Sequence, residues 1–225
     1  MPVPVPLTVF YGGTFDPVHN GHLAVARQAR DTLDATIRLM PAPDPPHRPA
    51  PGANASQRAR MLDLAVAGEE GLLVDRREFD RDTPSYTAET LRRLRAELGD
   101  TAPVALLIGG DSLRGLAGWK DWQSLFDMAH FVIADRGSDA PVAPLPPELE
   151  SFIAGRWVDS PAALRAEPAG RLFKLGLPLR PESASDVRER IAHGKPWRHL
   201  VPEAVAGYIE HHQLHAGRPS SSAPL

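Results

Sequence analysis

The chain has 225 residues, of which 42% are hydrophobic, so it can bury one sizeable core. Its formal charge of −3, from 25 basic and 28 acidic residues, excludes the strongly basic surface by which proteins bind nucleic acid through counterion release. The lack of Cys excludes disulfides, thiolate metal sites and a cysteine nucleophile, and it fits a cytoplasmic location. Because no apolar stretch reaches about 18 residues, we expect neither an export signal nor contact with a membrane.

Short apolar runs alternate with segments of helical periodicity in chain order. Strands are predicted at 7–11, 35–40, 72–74, 104–108, 131–134, 157–158 and 172–175. Helices are predicted at 23–33, 56–67, 88–98, 184–193 and 202–213. Ser56 is the expected N-cap of the second helix, and Gly99 is expected to end the third.

This alternation predicts an α/β fold: a doubly wound, Rossmann-like parallel sheet with flanking helices and strand order 3-2-1-4-5. We expect one domain over residues 1–215 and a disordered tail over 216–225. Ligands of such sheets bind beyond the carboxyl ends of the strands, near the point where the strand order reverses. The loop after the first strand is therefore the first place to look for a site.

That loop, residues 12–22, reads G-G-T-F-D-P-V-H-N-G-H. His19 and His22 flank Gly21 where a helix is predicted to begin. Glycine lets the backbone approach a ligand, and the free N–H groups at a helix start favour an anion. An ordinary turn before a capped helix, with hydrogen-bonded imidazoles, is the alternative. Two histidines and a double glycine in one predicted ligand loop favour phosphate binding instead.

The chain contains neither the G-x-G-x-x-G dinucleotide fingerprint nor a P-loop. Residues 12–23 resemble the signature of the H-x-G-H nucleotidyltransferase superfamily. Further blocks are similar to those of bacterial nicotinate-nucleotide adenylyltransferases, in the same order and from about Val9 to Leu214. They are P-P-H-R at 45–48, P-S-Y-T at 84–87, G-G-D-S at 109–112, Trp119, Trp122, A-D-R at 134–136 and S-A-S-D-V-R at 183–188.

The resemblance implies a role for each block. The implied catalytic residues are His19, His22 and Arg188, and these three would also contact ATP. The other implied ATP-binding residues are Gly12, Gly13, Thr14, Phe15, Gly109, Asp111, Ser183 and Ser185. The implied mononucleotide-binding residues are Thr14, His47, Arg48, Thr87, Trp119 and Arg136. No metal-ligating residue is implied.

Each of these roles has a structural alternative. Ser183 can be an ordinary helix cap beside an exposed Arg188, and Asp111 can cap a helix rather than bind ribose. Arg136 and the basic residues at 47–48 can simply be solvated. Core packing competes with ring stacking for Trp119, and it is the interpretation we prefer for Trp122.

The implied reaction transfers the adenylyl group of ATP to nicotinate mononucleotide, giving deamido-NAD and pyrophosphate in NAD biosynthesis. Mg²⁺ would be bound mainly through the ATP phosphates. The attacking phosphate monoester is already ionised near pH 7, because its second pKa is about 6, so neither a general base nor a covalent intermediate is expected. The enzyme would be a monomer or a homodimer.

Two alternatives stay open. One is a sister enzyme that acts on another phosphate, such as nicotinamide mononucleotide or phosphopantetheine. The other is a nucleotide sensor that kept the fold and lost catalysis, against which the intact His19, His22 and Arg188 argue. The segment around Ala42 lacks an Asn that many relatives carry, and Glu182 stands where an apolar residue is usual.

Overall fold

A computed structural model describes residues 6–42, 52–79, 86–135, 144–176 and 182–216. These residues form a sheet of seven parallel strands in the order β3-β2-β1-β4-β5-β7-β6. The strands are β1 (Thr8–Gly13), β2 (Thr36–Pro41), β3 (Leu72–Val74), β4 (Val104–Gly109), β5 (His130–Asp135), β6 (Trp157–Val158) and β7 (Leu172–Gly176). The predicted fold class and the order 3-2-1-4-5 are confirmed, with β7 and β6 added at one edge.

Nine α-helices lie within the described ranges, seven of them between strands and two after the last strand. They are α1 (Asn20–Leu33), α2 (Ala55–Val66), α3 (Thr87–Leu98), α4 (Gly110–Arg114), α5 (Leu125–Met128), α6 (Pro147–Ile153), α7 (Pro161–Arg165), α8 (Ala184–Ala192) and α9 (Glu203–His211). The five helices predicted from periodicity are confirmed as α1, α2, α3, α8 and α9. Helices α4 to α7 span at most seven residues each, too few for a helical period to stand out in the sequence.

The predicted cap of α2 is wrong by two residues. Asn54, not Ser56, is the N-cap, and its side chain accepts a hydrogen bond of 2.9 Å from the backbone N–H of Gln57. The Gln57 side chain accepts in return from the Asn54 N–H at 3.0 Å. This reciprocal pair satisfies two free donors of the first turn, whereas a cap at Ser56 would satisfy one.

The core lies on both faces of the sheet, as the apolar run in β4 predicts. Ala105 and Leu107 face one cluster, which includes residues of α1, α2, α8 and α9. Leu106 and Ile108 face the other, which includes residues of α3, α5 and α6. Alternate residues of β4 are therefore buried on opposite faces, as expected of a parallel strand covered by helices on both sides.

His130, at the start of β5, is fully buried and has a protein partner for each ring nitrogen. Its Nδ1 accepts from the backbone N–H of Arg171 at 3.1 Å. The remaining proton is therefore on Nε2, which donates to the carbonyl of Glu167 at 2.9 Å. Burial lowers the pKa of His130. The ring is thus held neutral, as a link between β5 and the segment before β7.

The strand order reverses between β1 and β4. Strands β2 and β3 lie on one side of β1, and β4 and all later strands lie on its other side. Their carboxyl ends meet at one edge of the sheet, which is where open α/β folds hold their ligands. No helix in the described part of the chain has the length and apolar character needed to cross a membrane.

Candidate active site

A cavity of about 580 Å³ opens at the carboxyl ends of β1 and β4. All five of the predicted site glycines and threonines are among its lining residues, together with Trp119. The lining comprises Phe10, Gly12, Gly13, Thr14, Met40, Ala42, Glu78, Tyr86, Thr87, Thr90, Leu106, Leu107, Ile108, Gly109, Ser112, Gly115, Gly118, Trp119 and Lys120. The position agrees with the one expected from the strand order.

Phe15 holds the turn that follows β1. Its φ of 52° is in the left-handed region, which is uncommon for a bulky residue. Its buried ring lies over Gly13, where an added Cβ would come within 3.0 Å of the ring, and it meets the Tyr11 ring edge-on at 5.5 Å. Glycine at 13 is thus required by the protein's own packing. Phe15 is only 2% exposed as a whole residue, so its observed role is packing, and its implied contact with ATP stays a prediction.

The two histidines of the loop form a stacked pair. The rings of His19 and His22 have centroids 3.7 Å apart and planes 29° apart. The His19 backbone N–H donates to His22 Nδ1 at 3.2 Å, which leaves the proton of a neutral His22 ring on Nε2. A Cβ at Gly21 would lie 3.0 Å from the His19 ring. The glycine between the histidines therefore makes room for the first imidazole.

Helices α1 and α8 begin beside each other. Arg188, one turn into α8, donates from Nη1 to the Asp16 carbonyl of the first loop at 2.6 Å, and its Nη2 donates to Ser185 Oγ at 3.3 Å. The Glu182 carbonyl lies 3.4 Å from the position of a Cβ on Gly21. The two helix starts, 164 positions apart in sequence (184 − 20), thus meet in space.

The beginning of α8 is capped as predicted. The hydroxyl of Ser183 accepts from the Asp186 N–H at 3.1 Å, and Ser185 lies inside the first turn. The starts of α1 and α8 therefore lie close together, and their positive dipole ends add to the charge of Arg188. Two helix starts and a guanidinium make a strongly anion-favouring place, suited to several phosphates at once.

The sequence alone gave no role to the Asp16 side chain, which ties the loop to two other segments. Its buried carboxylate accepts from the backbone N–H groups of Gly52 at 2.8 Å and Ala53 at 3.2 Å. The Nε2 atom of His215, a ring only 3% exposed, lies 3.3 Å from the same carboxylate. Burial lowers the pKa of His215.

Arg58 is the second support that the sequence did not indicate. It is fully buried on α2, and its guanidinium donates to the carbonyl of Thr14 at 2.8 Å, to that of Ala53 at 3.2 Å and to that of Ala42. Because Thr14 and Ala42 line the cavity, this one side chain joins the loops after β1 and β2. Ala42 offers the cavity only a methyl group and backbone.

The apolar end of the cavity carries the predicted Thr87 and Trp119. Thr87 is the first residue of α3, so it places the positive dipole end of this helix at the wall. Trp119 is partly buried against the core and also lines the cavity, so packing is observed and ring stacking stays a prediction. The sequence did not single out Tyr86 or Lys120, which flank these two residues in the chain.

Two further assignments depend on side-chain placement. Asp111 is in the first turn of α4, whose N-cap is Gly109, so the capping alternative is wrong. Its side chain is 98% exposed and pairs with Arg114. Trp122 meets the ring of Phe152 edge-on at 4.9 Å within the core, which confirms the packing interpretation.

Three of the predicted site residues, His47, Arg48 and Arg136, lie outside the described residues, as do most of the predicted tail and the first part of the P-S-Y-T block. Their roles stay predictions.

Comparison with known proteins assigns the chain to a family. The family model described as cytidylyltransferase-like matches residues 10–190. The chain belongs to this family. It is 54% identical over 214 residues to a probable nicotinate-nucleotide adenylyltransferase of Stenotrophomonas maltophilia, covering 93% of this chain and 96% of that one. It is 46% identical to the protein of the same name in Xylella fastidiosa, with 93% and 96% covered. The resemblance seen in the sequence is confirmed.

A solved structure agrees with this chain at the level of architecture. The nicotinic acid mononucleotide adenylyltransferase of Plasmodium falciparum, complexed with NaAD, superposes with a TM-score of 0.68 at 13% identity. The match covers 93% of this chain and 97% of that one. The fold is therefore shared even where little of the sequence is.

Proposed function

We propose that the protein transfers the adenylyl group of ATP to nicotinate mononucleotide, forming deamido-NAD and releasing pyrophosphate in NAD biosynthesis. The observation that carries this proposal is the Arg188–Asp16 hydrogen bond, which joins the start of α8 to the loop before α1. Thr14 of the same loop lines the cavity that reaches Trp119. One part of the site suits a triphosphate, and the other suits a flat ring. The names of the relatives support the same activity.

The reaction joins two anions, so the site must lower their repulsion and align them. The phosphate of the mononucleotide attacks the α-phosphorus of ATP in line, while the bond to the pyrophosphate breaks. His22 donates its Nε2–H to a phosphate oxygen, since its Nδ1 is engaged by the His19 N–H. Arg188 and the first turn of α8 hold the departing pyrophosphate. No side chain has to remove a proton from the nucleophile, which is already ionised.

Mg²⁺ belongs to the same proposal. Among the described residues no group of three or more His, Asp or Glu side chains could hold a metal ion. The Asp16 carboxylate is already bound by two backbone N–H groups. An ion held chiefly by ATP oxygens and water fits this surrounding, and when bound it would neutralise charge on the phosphates.

The cavity favours a pyridine mononucleotide over phosphopantetheine as the acceptor. Trp119 provides a flat face for an aromatic ring, whereas phosphopantetheine has no ring to stack. The substrates are small charged metabolites of the cytoplasm, where we also place the enzyme.

The direct test is an assay of purified protein with ATP, Mg²⁺ and one acceptor at a time. We expect pyrophosphate release and a dinucleotide product with nicotinate mononucleotide, and much slower turnover with nicotinamide mononucleotide or phosphopantetheine. Turnover with phosphopantetheine alone would refute the proposed acceptor class. ATP binding without turnover of any acceptor would favour the sensor.

The His22→Ala variant tests the mechanism. We expect kcat to fall about 10²- to 10³-fold, the usual loss of one donor to a developing phosphate charge, with the unfolding transition nearly unchanged. His193→Ala is the matched control, because His193 is an exposed histidine at the far end of α8. Near-normal turnover of the His22 variant would remove this residue from the mechanism.

A further inference from the structure

The cavity holds a cation that neither the resemblance nor the reaction scheme uses. Lys120 follows Trp119 in the chain, and both residues line the cavity. Its Nζ lies 4.6 Å from the centre of the Tyr86 ring and 3.4 Å from Oε1 of Glu89. Tyr86 is the N-cap residue of α3. The ammonium group is therefore held at the start of α3, beside the aromatic end of the cavity.

Charge is sparse among the described residues of this wall. Lys120 is the one cation in the lining, and Glu78 is the one anion. Glu78 is 4% exposed and accepts a hydrogen bond of 2.7 Å from Thr90 Oγ1. Most other lining residues are apolar or glycine. Among the described lining residues, Lys120 is therefore the positive charge available to an anionic group on a ring that stacks on Trp119.

Nicotinate and nicotinamide mononucleotides differ in one group, a carboxylate in place of a carboxamide. The two groups have nearly the same shape, so steric fit cannot separate them. They differ in net charge, and the amide carries two N–H donors that the carboxylate lacks. A site that prefers the acid must offer positive charge and donors at that position.

The geometry points to Lys120 as a specificity-determining residue that selects the acid form of the pyridine ring by charge. This inference rests on the proposed function and names a residue that decides the acceptor. The first-turn N–H groups of α3 supply donors beside the same position, and their dipole end has the same sign as the ammonium. The contact with Glu89 holds the ammonium in place, although it also reduces the local positive charge.

The expected effect of the Lys120 charge on acceptor specificity depends on how far the side chain is exposed to solvent. The Lys120 side chain is 49% exposed, so its interaction with a carboxylate is partly screened by water and salt. For a unit charge a few ångströms from the carboxylate at such a position, we expect about a tenfold effect on the acid-to-amide ratio of kcat/KM. Added salt should lower this ratio in the wild-type enzyme and leave it nearly unchanged where the charge is absent.

The experiment measures kcat/KM for nicotinate and nicotinamide mononucleotides in a charge series at one position. K120R keeps the charge, K120Q removes it and K120E reverses it. We expect the acid-to-amide ratio to stay near that of the wild type in K120R, to fall about tenfold in K120Q and to fall further in K120E. K195Q is the matched control, because Lys195 is exposed and outside the cavity lining. General damage to the fold changes both rates together and cancels in the ratio.

The outcomes separate this inference from the proposed function. If the wild-type enzyme adenylylates nicotinate mononucleotide and the ratio is flat across the charge series, Lys120 does not set specificity and the function stands. If the wild-type enzyme adenylylates neither pyridine mononucleotide, the proposed function fails first. The inference is supported if the acid-to-amide ratio in K120Q is lower than in the wild type and no longer depends on salt.

Discussion

Replacing Arg58 by Met should destabilise the protein strongly and loosen the acceptor site. The buried guanidinium donates to the carbonyls of Thr14, Ala42 and Ala53. A hydrogen bond from a charged donor contributes about 1.5–3 kcal/mol net, and an acceptor left buried without a partner costs about 1–3 kcal/mol. These contributions are not additive, and the Met variant also avoids burying a charge. We therefore expect a loss of about 3–5 kcal/mol.

Urea unfolding measures this loss as a fall of about 1 M or more in the midpoint at unchanged slope. Arg60→Met is the control, because Arg60 is exposed on the same helix, and it should change stability by less than about 0.5 kcal/mol. Arg58→Lys should fall between the two, since an ammonium cannot reach three carbonyls in different directions. KM for the mononucleotide should rise in the folded Arg58 variants. An Arg58→Met protein within 1 kcal/mol of the wild type would refute the reasoning.

Two further predictions concern the loop and the sheet. In Gly21→Ala the new Cβ would lie 3.0 Å from the His19 ring, so we expect kcat to fall at least tenfold with a smaller loss of stability, measured by steady-state kinetics and thermal unfolding. His130 has a pKa lowered by burial, so the unfolded ring binds a proton near pH 6.5 while the folded one does not. Its contribution to stability is therefore present above about pH 6.5 and is lost as the pH falls towards the lower folded pKa. In His130→Gln the difference in unfolding free energy between pH 7.5 and 5.5 should be smaller than in the wild type, and an equal difference would contradict the assignment.

The parts of the fold that could be predicted from the sequence are those with a local cause. Residues 104–108 are an unbroken apolar run, and β4 is buried on both faces because such a run can only be covered from both sides. The Ser183 hydroxyl precedes a helical period, and it caps α8. The meeting of α1 and α8 followed from a different kind of reasoning, since two anion-favouring segments are expected to share one ligand.

The roles that could not be predicted belong to residues whose hydrogen-bond partners are distant in the chain. In the sequence, Arg58 cannot be distinguished from the other charged residues of a helix, because its partner carbonyls at 14 and 42 lie in other loops. The same holds for Asp16, whose partners are backbone N–H groups 36 and 37 positions later. Nearly every residue has the same backbone donor and acceptor, so the sequence does not show which of them a side chain will bind.

The contacts of Asp16, Arg58 and Arg188 fix the conformation of the loop after β1. The turn after β1 contains a buried aromatic residue with φ of 52°, a conformation that costs of order 1–3 kcal/mol and persists only where its surroundings fix it. Here the surroundings are the carboxylate contacts of Asp16, the guanidinium of Arg58 and the hydrogen bond from Arg188. Folding therefore orders the loop that we propose to bind phosphate before any substrate arrives. Donors that are already in place need no reorganisation as charge develops on the phosphates, which is the condition under which they stabilise a transition state best. Substitutions at Asp16 or Arg58 should thus lower kcat although neither side chain is proposed to contact a substrate, because they remove the contacts that hold the loop in place.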